Sequence, residues 1–214
     1  MPKEATDRET WQRARRPAEQ AARRTAIVDG ARELLRTATT PEGISTAALA
    51  RSAGVSAATM YTYFSGRDAI LLTATGHELG DWMADLTHRL AAEHLDLDTV
   101  ADHTSRSLDA HPSARRLLPA LPSLLAGANP TEAHDAKAEL GRQVRSLAAA
   151  IEHSLPTVDG ERAVRALRAL VVGLWSFATE HPADPDVEEI EWFRKEFGAS
   201  FRAVLIGLGA ERDA

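Results

Sequence analysis

The sequence predicts an all-α fold, with an N-terminal three-helix unit that contains a helix-turn-helix and a larger helical domain after it. Alanine, leucine and arginine, which favour helices, are abundant, whereas strand-forming residues are scarce. Apolar residues recur three or four positions apart over most of the 214 residues, which is the period of an amphipathic helix. The third observation is residues 45–67, which divide into two short helices around a glycine turn.

The chain begins with residues 1–22, which are polar, carry several arginines and have no sustained apolar period. We expect a mobile arm here, which either lies in the minor groove of DNA or is a solvated tail. From Arg23 the spacing of Ile27, Ala31, Leu34 and Leu35 predicts the first helix, which ends near Thr37.

Residues 45–67 contain capping and turn signals at the positions that a helix-turn-helix requires. Ser45 is a candidate N-cap of the first helix, and Gly54 is suited to the left-handed conformation that ends it. Ser56 begins a second helix over residues 57–64, in which Met60 and Phe64 share the face expected to be buried. In such units the second helix enters the major groove of DNA.

The rest of the chain predicts further amphipathic helices. A long helix from Ala69 to about Ala92 is followed by helices over about residues 96–110, 132–154, 161–180 and 187–207. Between residues 114 and 125, Pro119 and Pro122 predict a kinked or fragmented helix. This leucine-rich segment forms either the mouth of a pocket or plain core.

Composition and charge limit the possible functions. The chain has no cysteine, which excludes disulfides and thiolate chemistry. It has no apolar run long enough to span a membrane and no signal-peptide core, so we expect a cytoplasmic protein without a membrane partner. The net charge is −6, but residues 1–67 hold 11 Lys and Arg against 7 Asp and Glu. This basic N-terminal part favours phosphate contact at one end of the molecule.

The helix-turn-helix resembles the DNA-binding domain of TetR/AcrR-type transcriptional regulators. The resemblance rests on Leu49-Ala50, Ala53-Gly54-Val55-Ser56, Thr59 to Phe64, and Arg67. It implies a homodimeric regulator, typically a repressor, that binds a palindromic operator in double-stranded DNA and is released by a small-molecule effector. It also implies an arm at 1–22, a DNA-binding domain at 23–68 and a ligand-binding and dimerisation domain at 69–214.

The expected DNA contacts combine chemistry with this resemblance. Small alanines allow close approach to base edges, threonine hydroxyls bind bases, and a hydroxyl at a helix start binds phosphate. The resemblance places the two tyrosines at the DNA backbone or groove edge and Arg67 on a phosphate, although Tyr63 is equally suited to stabilising the small domain. The expected contacts are Ser45, Thr46, Ser56, Ala57, Ala58, Thr59, Tyr61, Thr62, Tyr63 and Arg67.

Two further sets of residues belong to the larger domain. The candidate ligand-binding residues are large apolar groups, of a kind found more often in a core than in contact with a ligand: Trp82, Met83, Leu86, Leu117, Leu121 and Trp175. The resemblance makes the last two helices a dimerisation pair, which would form a four-helix bundle across a two-fold axis. The expected interface residues are Leu170, Gly173, Leu174, Phe197, Phe201 and Val204.

Other classes of protein are disfavoured by the motifs. Asp85 and His88 have ligand-like spacing, but a helical metal protein or enzyme requires paired carboxylates, a repeated Glu-x-x-His or an HExxH motif, none of which occurs. We therefore expect no catalytic residue, no metal and no cofactor. A DNA-binding regulator whose C-terminal domain only dimerises, without a ligand, stays open.

Overall fold

The computed structural model describes the backbone of residues 3–38, 40–91, 95–180 and 189–210, and the side chains of these residues except 3–17, 179–180 and 189–190. The prediction of an all-α fold is confirmed, because each regular element in these ranges is a helix. The elements are α1 Lys3–Thr37, a 3-10 turn Pro41–Gly43, α2 Thr46–Ser52, α3 Ala57–Met60, α4 Arg67–Arg89, α5 Leu97–Ala110, α6 Pro112–Gly127, α7 Pro130–Ser154, α8 Gly160–Glu180 and α9 Glu189–Ala210.

Helix α1 begins well before the predicted start. The prediction of a helix start at Arg23 is wrong, because the backbone is already helical at Lys3. The segment before Arg23 is rich in alanine, arginine, glutamate and glutamine, which stabilise a helix without an apolar face. The mobility expected for residues 1–22 stays a prediction, and Met1 and Pro2 lie outside the described residues.

We call residues 27–68 the head and residues 69–210 the C-terminal domain. The core of the head is formed by side chains from successive helices, among them Ile27, Leu35, Leu49 and Met60, each at most 2% exposed. Gly54 has a φ of +63°, so the glycine turn predicted after α2 is confirmed. The head therefore has the turn and the buried face that its sequence predicts.

Helix α3 is shorter than predicted. The expected helix over residues 57–64 is wrong, because α3 ends at Met60 and the chain then turns. The amides of Tyr63 and Phe64 both donate to the carbonyl of Met60, at 3.1 and 3.2 Å, which tightens the backbone. The Tyr-Thr-Tyr sequence has modest helix propensity, so packing of Phe64 into the core decides the path of the chain.

Helix α4 connects the head to the C-terminal domain. It packs on α1 in the head and on α6 and α7 beyond it. The apolar stripe predicted on this helix is buried, including Leu72, Leu79 and Leu86. Its predicted end at Ala92 falls outside the described residues, and α4 itself ends at Arg89.

Helix α6 continues through both of its prolines. The predicted fragmentation is wrong, because Pro119 and Pro122 lie inside one helix from Pro112 to Gly127. The two rings are three residues apart and therefore share one side, where Pro119 is half-buried and Pro122 is exposed. The lost backbone hydrogen bonds lie on that side, and α6 keeps its packing on α4 and α8.

Three phenylalanines form a stack along one face of α9. Phe193, Phe197 and Phe201 have successive ring centroids 5.6 and 5.7 Å apart, and each is at most 1% exposed. Helix α9 packs on α8 and α5, so this stack belongs to the core of a single protomer. Among the described helices, none combines the length and the apolar character that crossing a membrane would need.

Candidate nucleic-acid interface

The first turn of α3 lies at the surface of the head. Ala57, Ala58 and Thr62 are exposed, and Tyr61 is 50% exposed, whereas Met60 on the opposite side is fully buried. The methyl groups and the phenol therefore point away from the core. This arrangement suits close approach to the edges of bases in a groove.

Serine hydroxyls cap both helices of the helix-turn-helix. The Ser45 hydroxyl accepts from the Ala48 amide at 3.2 Å, and the Ser56 hydroxyl accepts from the Thr59 amide at 3.0 Å. The hydroxyls of Ser56 and Thr59 are also 2.8 Å apart. A hydroxyl that accepts in this way keeps a proton to donate, so an exposed cap such as Ser45 stays available to a phosphate oxygen. Thr46, half-buried, begins α2 beside it.

Tyr63 is attached to the end of the recognition unit by an arginine from α1. Arg24 donates to the Tyr63 carbonyl at 2.7 Å, and its guanidinium lies 3.9 Å from the centroid of the Phe64 ring. The Thr62 hydroxyl donates to the Thr59 carbonyl. These contacts fix the turn after α3. The sequence did not single out Arg24. Its position three residues before the buried Ile27 indicates that it lies near the core-facing side of α1.

Arg67 lies in a different environment from the predicted phosphate contact. Its Nε donates to the Ile44 carbonyl at 2.6 Å, and one terminal nitrogen donates to the carbonyls of Pro41 and Glu42 at 2.5 and 3.1 Å. The other terminal nitrogen donates to the Asp68 carboxylate at 2.5 Å. The guanidinium is thus occupied by the loop between α1 and α2, and it fixes that loop against the start of α4.

Most arginines of the DNA-binding region have partners within the protein. The positive charge counted from the sequence is therefore larger than the positive charge that is free to contact DNA. Within the described residues, the side chains of Arg23 and Arg51 are exposed and form no hydrogen bond or ion pair. Arg51 lies in the last turn of α2. The internally bonded arginines of this region are Arg24, Arg32, Arg36 and Arg67.

Glu78 on α4 joins α1 to α6. Its carboxylate accepts from Arg32 Nε at 2.8 Å, from Arg36 at 2.9 Å and from the Ser113 hydroxyl at 3.0 Å. Burial alone would raise the pKa of Glu78, but the hydrogen bonds from these three partners outweigh it and lower the pKa. Arg32 also pairs with Asp81. A buried carboxylate therefore ties the helix of the head to two helices of the C-terminal domain.

Two further contacts attach the head to the C-terminal domain. Glu132, in the first turn of α7, accepts from the Ser65 amide at 3.3 Å and also from the Ser65 hydroxyl. Arg116 on α6 donates to the carbonyls of Arg36 and Leu35, at 2.7 and 3.4 Å, near the end of α1. The orientation of the head consequently depends on α4, α6 and α7 together.

The candidate ligand-binding residues belong to the core of the C-terminal domain. Leu121 and Trp175 are half-buried against this core, and the Trp175 ring meets Phe193 edge-to-face at 5.6 Å. The indole Nε1 of Trp82 is buried without a hydrogen-bond partner among the described residues. The four fully packed members, each at most 5% exposed, are Trp82, Met83, Leu86 and Leu117.

The candidate dimer residues divide into two groups. Phe197 and Phe201 are 0% exposed and pack within the protomer, so the expectation that they lie in the interface is wrong: they have no surface left for a partner. Gly173 is exposed, and a methyl group in place of its hydrogen would have no described atom within 4 Å. Leu170, Leu174 and Val204 keep part of their surface. The sequence reasoning missed Phe177, 50% exposed, and Ile206, 44% exposed.

The polar side of α4 takes part in protein contacts. Asp85 accepts from Arg89 and from the Ser107 hydroxyl, both at 2.7 Å, and it lies 3.7 Å from His111. Burial would raise the pKa of Asp85, but the hydrogen bonds from Arg89 and Ser107 lower it. Among the described residues, no group of three or more His, Cys, Asp or Glu is arranged to hold a metal ion.

Comparison with known proteins agrees with this architecture. The family model described as "Bacterial regulatory proteins, tetR family" matches residues 27–74. The model described as "Tetracyclin repressor-like, C-terminal domain" matches residues 77–211, which is more than half of the chain. No curated protein matches the chain in overall sequence.

Solved structures share the fold at low sequence identity. A TetR-family regulator from Mesorhizobium loti MAFF303099 has a TM-score of 0.61 at 15% identity, covering 88% of this chain and 97% of its own. One from Streptomyces coelicolor has a TM-score of 0.56 at 20% identity, covering 89% and 83%. The repressor AlkX from Dietzia sp. strain DQ12-45-1b has a TM-score of 0.52 at 16% identity, covering 87% and 96%.

Both family matches and the helical architecture lead to the same assignment. The exposed α3 lies in the segment that matches the DNA-binding model, and helices α5 to α9 lie in the segment that matches the C-terminal model. The chain therefore belongs to the TetR family of DNA-binding transcriptional regulators.

Proposed function

We propose that this regulator is a homodimeric repressor that binds a palindromic operator and is released from it by a small-molecule effector. The observation that carries the proposal is the exposed surface of α3 and of its C-terminal end, where Ala57, Ala58 and Tyr61 face outward over the buried Met60. Alanine methyl groups suit contact with thymine, and the Tyr61 phenol suits a base edge or the sugar–phosphate backbone. One such turn reads too few base pairs to select a site in a genome, so two copies are required.

The outer face of the last two helices supports the dimer. On α8, Leu170, Gly173, Leu174 and Phe177 follow the spacing i, i+3, i+4 and i+7, and all of them keep exposed surface. Ile206 on α9 is 44% exposed. Exposed apolar side chains in one stripe favour burial against a second copy. The same stripe on two protomers forms a self-complementary interface around a two-fold axis.

The contacts between the domains support release by an effector. A ligand that shifts α6 or α4 would alter the hydrogen bonds of Glu78 with α1 and those of Arg116 with the end of α1. A change in the angle of each head changes the distance between the two copies of α3, which must match half-sites about one helical turn apart. A hundredfold loss of operator affinity requires a coupling free energy of only about 2.7 kcal/mol.

Selection of bound duplexes from a random DNA pool tests the first part of the proposal. We expect a palindromic consensus with half-sites about 10 base pairs apart, centre to centre. Tyr61→Ala should weaken binding to that consensus, while the control Arg142→Ala, which changes an exposed side chain on α7, should retain it. Recovery of asymmetric or unrelated sequences would contradict a dimer that reads a palindrome.

A regulator without an effector is the second candidate, and the close packing of the candidate ligand residues favours it. Leu86 and Leu117 are 0% and 1% exposed and pack in one core cluster. Thermal-shift measurements against a panel of small molecules separate the two candidates. The panel includes n-alkanes, because AlkX, whose fold the chain shares, is implicated in their biodegradation. A panel without any stabilising compound would support the second candidate.

A further inference from the structure

A cleft opens between the head and the C-terminal domain, and Trp175 is the candidate ligand residue that lines it. Its volume is about 280 Å³. The head contributes Pro41 and Glu42 from the loop after α1, α6 contributes Arg116 and Pro119, and α8 contributes Trp175. A molecule in this cleft would touch both domains at once.

Two consecutive arginines of α6 place positive charge beside the cleft. Arg115 is 3% exposed, lies 5.2 Å from the Trp175 ring and 5.4 Å from the Phe193 ring, and has a buried Nε without a hydrogen-bond partner. Its carboxylate contact among the described residues is Asp109 at 3.4 Å, and Asp109 also pairs with Arg194 at 2.7 Å. One carboxylate is therefore shared between two guanidinium groups.

The positive charge of Arg116 is balanced even less by nearby carboxylates within the described residues. It donates to two backbone carbonyls of α1, it pairs with no carboxylate there, and its Nε is buried without a hydrogen-bond partner. Burial lowers the pKa of Arg115; Asp109 opposes this, while Arg194 and Arg116 lower it further. Among the described residues, the two guanidinium groups therefore have less carboxylate charge around them than they could accept, and burial makes such a deficit costly.

The rest of the lining combines apolar rings with the small polar residues Thr40 and Ser176. Trp175 offers an aromatic ring, and Pro41 and Pro119 offer ring faces that lose no rotamer freedom on contact. The one carboxylate in the described lining, Glu42, has an exposed side chain. The volume lies just below the range of about 300 to 1,000 Å³ typical of ligand pockets, so it suits a compact molecule.

We propose that this cleft binds a compact planar carboxylate, with its aromatic body between Trp175 and the two prolines and its carboxylate on Arg116. A carboxylate binds a guanidinium more strongly than a backbone carbonyl does. Occupancy therefore draws Arg116 away from the carbonyls of Leu35 and Arg36 and frees the end of α1. This effect on DNA affinity rests on the proposed function, whereas binding to the cleft does not.

The test uses 2-naphthoate and its neutral counterpart 2-naphthamide as probes of the full-length protein, with calorimetric titration. We expect naphthoate to bind about tenfold more tightly than naphthamide, because only the acid pairs with Arg116. Arg116→Gln should remove this preference, and Arg116→Lys should restore part of it. The control Arg106→Gln removes a cation from the groove between α5 and α9 and should leave both affinities unchanged.

Several outcomes would overturn the inference. Equal binding of acid and amide by the unmodified protein would do so without any variant, and so would an Arg106→Gln effect as large as that of Arg116→Gln. If nuclear magnetic resonance shows no saturation transfer between Trp175 and the naphthalene ring, the probe binds outside the cleft. DNA binding is measured separately and without the probe, so a protein that binds its operator but not naphthoate refutes the cleft and leaves the proposed function standing.

Discussion

The Nε of Arg67 donates a hydrogen bond of 2.6 Å to the carbonyl of Ile44, which lies 23 residues earlier in the chain. With the carbonyls of Pro41 and Glu42 it closes the loop between α1 and α2 against the start of α4. Because α2 follows this loop directly, the guanidinium sets the position of the helix-turn-helix relative to α4. A residue that looks like a DNA contact in the sequence has a structural role in the fold.

Arg67→Ala should therefore destabilise the protein more than it alters the salt dependence of DNA binding. Loss of three charge-assisted hydrogen bonds to backbone carbonyls is expected to lower the free energy of unfolding by about 2 kcal/mol. Arg67→Lys should recover little of this, because a single ammonium does not reproduce the planar geometry. Urea denaturation measures the stability of both variants, and DNA titration over a salt series measures the salt slope. An unchanged urea midpoint together with a smaller salt slope of DNA binding would instead support a contact between Arg67 and a phosphate.

Arg51→Ala should show the opposite behaviour. Its side chain is exposed in the last turn of α2 and forms no hydrogen bond or ion pair with the described residues, so little stability depends on it. If Arg51 pairs with a phosphate, the slope of log affinity against log salt concentration should fall by about 1 per protomer, with all sequences weakened alike. Fluorescence anisotropy over a salt series measures it. An unchanged salt slope would show that Arg51 does not contact a phosphate.

Glu78→Gln should loosen the joint between the domains. The substitution keeps the shape of the side chain but leaves Arg32 and Arg36 without their shared charge. We expect a loss of about 2 kcal/mol, less than the ~3–5 kcal/mol for a fully buried pair, because Arg36 is half exposed and regains water. Denaturation measures stability, and operator titration measures the effect on the head. Glu132→Gln, on the other domain contact, is the comparison variant.

Glu78 also gives the stability a defined pH dependence. Its pKa in the folded protein is lowered, so its contribution is present above the ordinary value of 4.5 and is lost as the pH falls through the lower folded value. The difference in stability between the native protein and Glu78→Gln should therefore shrink below pH 4.5. A difference that stays constant down to the acid transition would show that the carboxylate charge does not stabilise this joint.

Gly173→Leu should impair dimerisation without harming the protomer. The position is exposed and has open space around it, so a larger side chain meets no atom of its own chain. In an interface between two copies of α8 it would hold the helices apart. Light scattering over a concentration series measures the molecular mass, and Ala138→Leu, exposed on α7, is the matched control. A dimer of undiminished affinity would place the interface elsewhere.

The sequence predicted what depends on neighbours along the chain. Gly54 signals a left-handed turn, Ser45 and Ser56 signal helix starts, and Met60 and Phe64 signal a buried face, because each property is decided within about four residues. The length of α3 was not predictable in this way. It is set by where Phe64 enters the core, which is a tertiary constraint.

Contacts between distant residues gave no sequence signal. The carbonyl partners of Arg67 lie 23 to 26 residues away, and the partners of Glu78 lie 35 to 46 residues away. Apolar periodicity identified Phe197 and Phe201 as buried, but the same period describes a face that packs inside a protomer and one that packs between protomers. Only the position of α5 decides between them.

The stack of Phe193, Phe197 and Phe201 has a consequence for assembly. These rings are covered inside the protomer, so each subunit of the proposed dimer would keep its apolar interior after its partner dissociates. In a pair joined by the outer side of α8 and α9, partners then exchange without unfolding. A cell that expresses a variant unable to bind DNA together with the native protein would then form heterodimers with only one DNA-binding head. We expect such a variant to be dominant over the native protein.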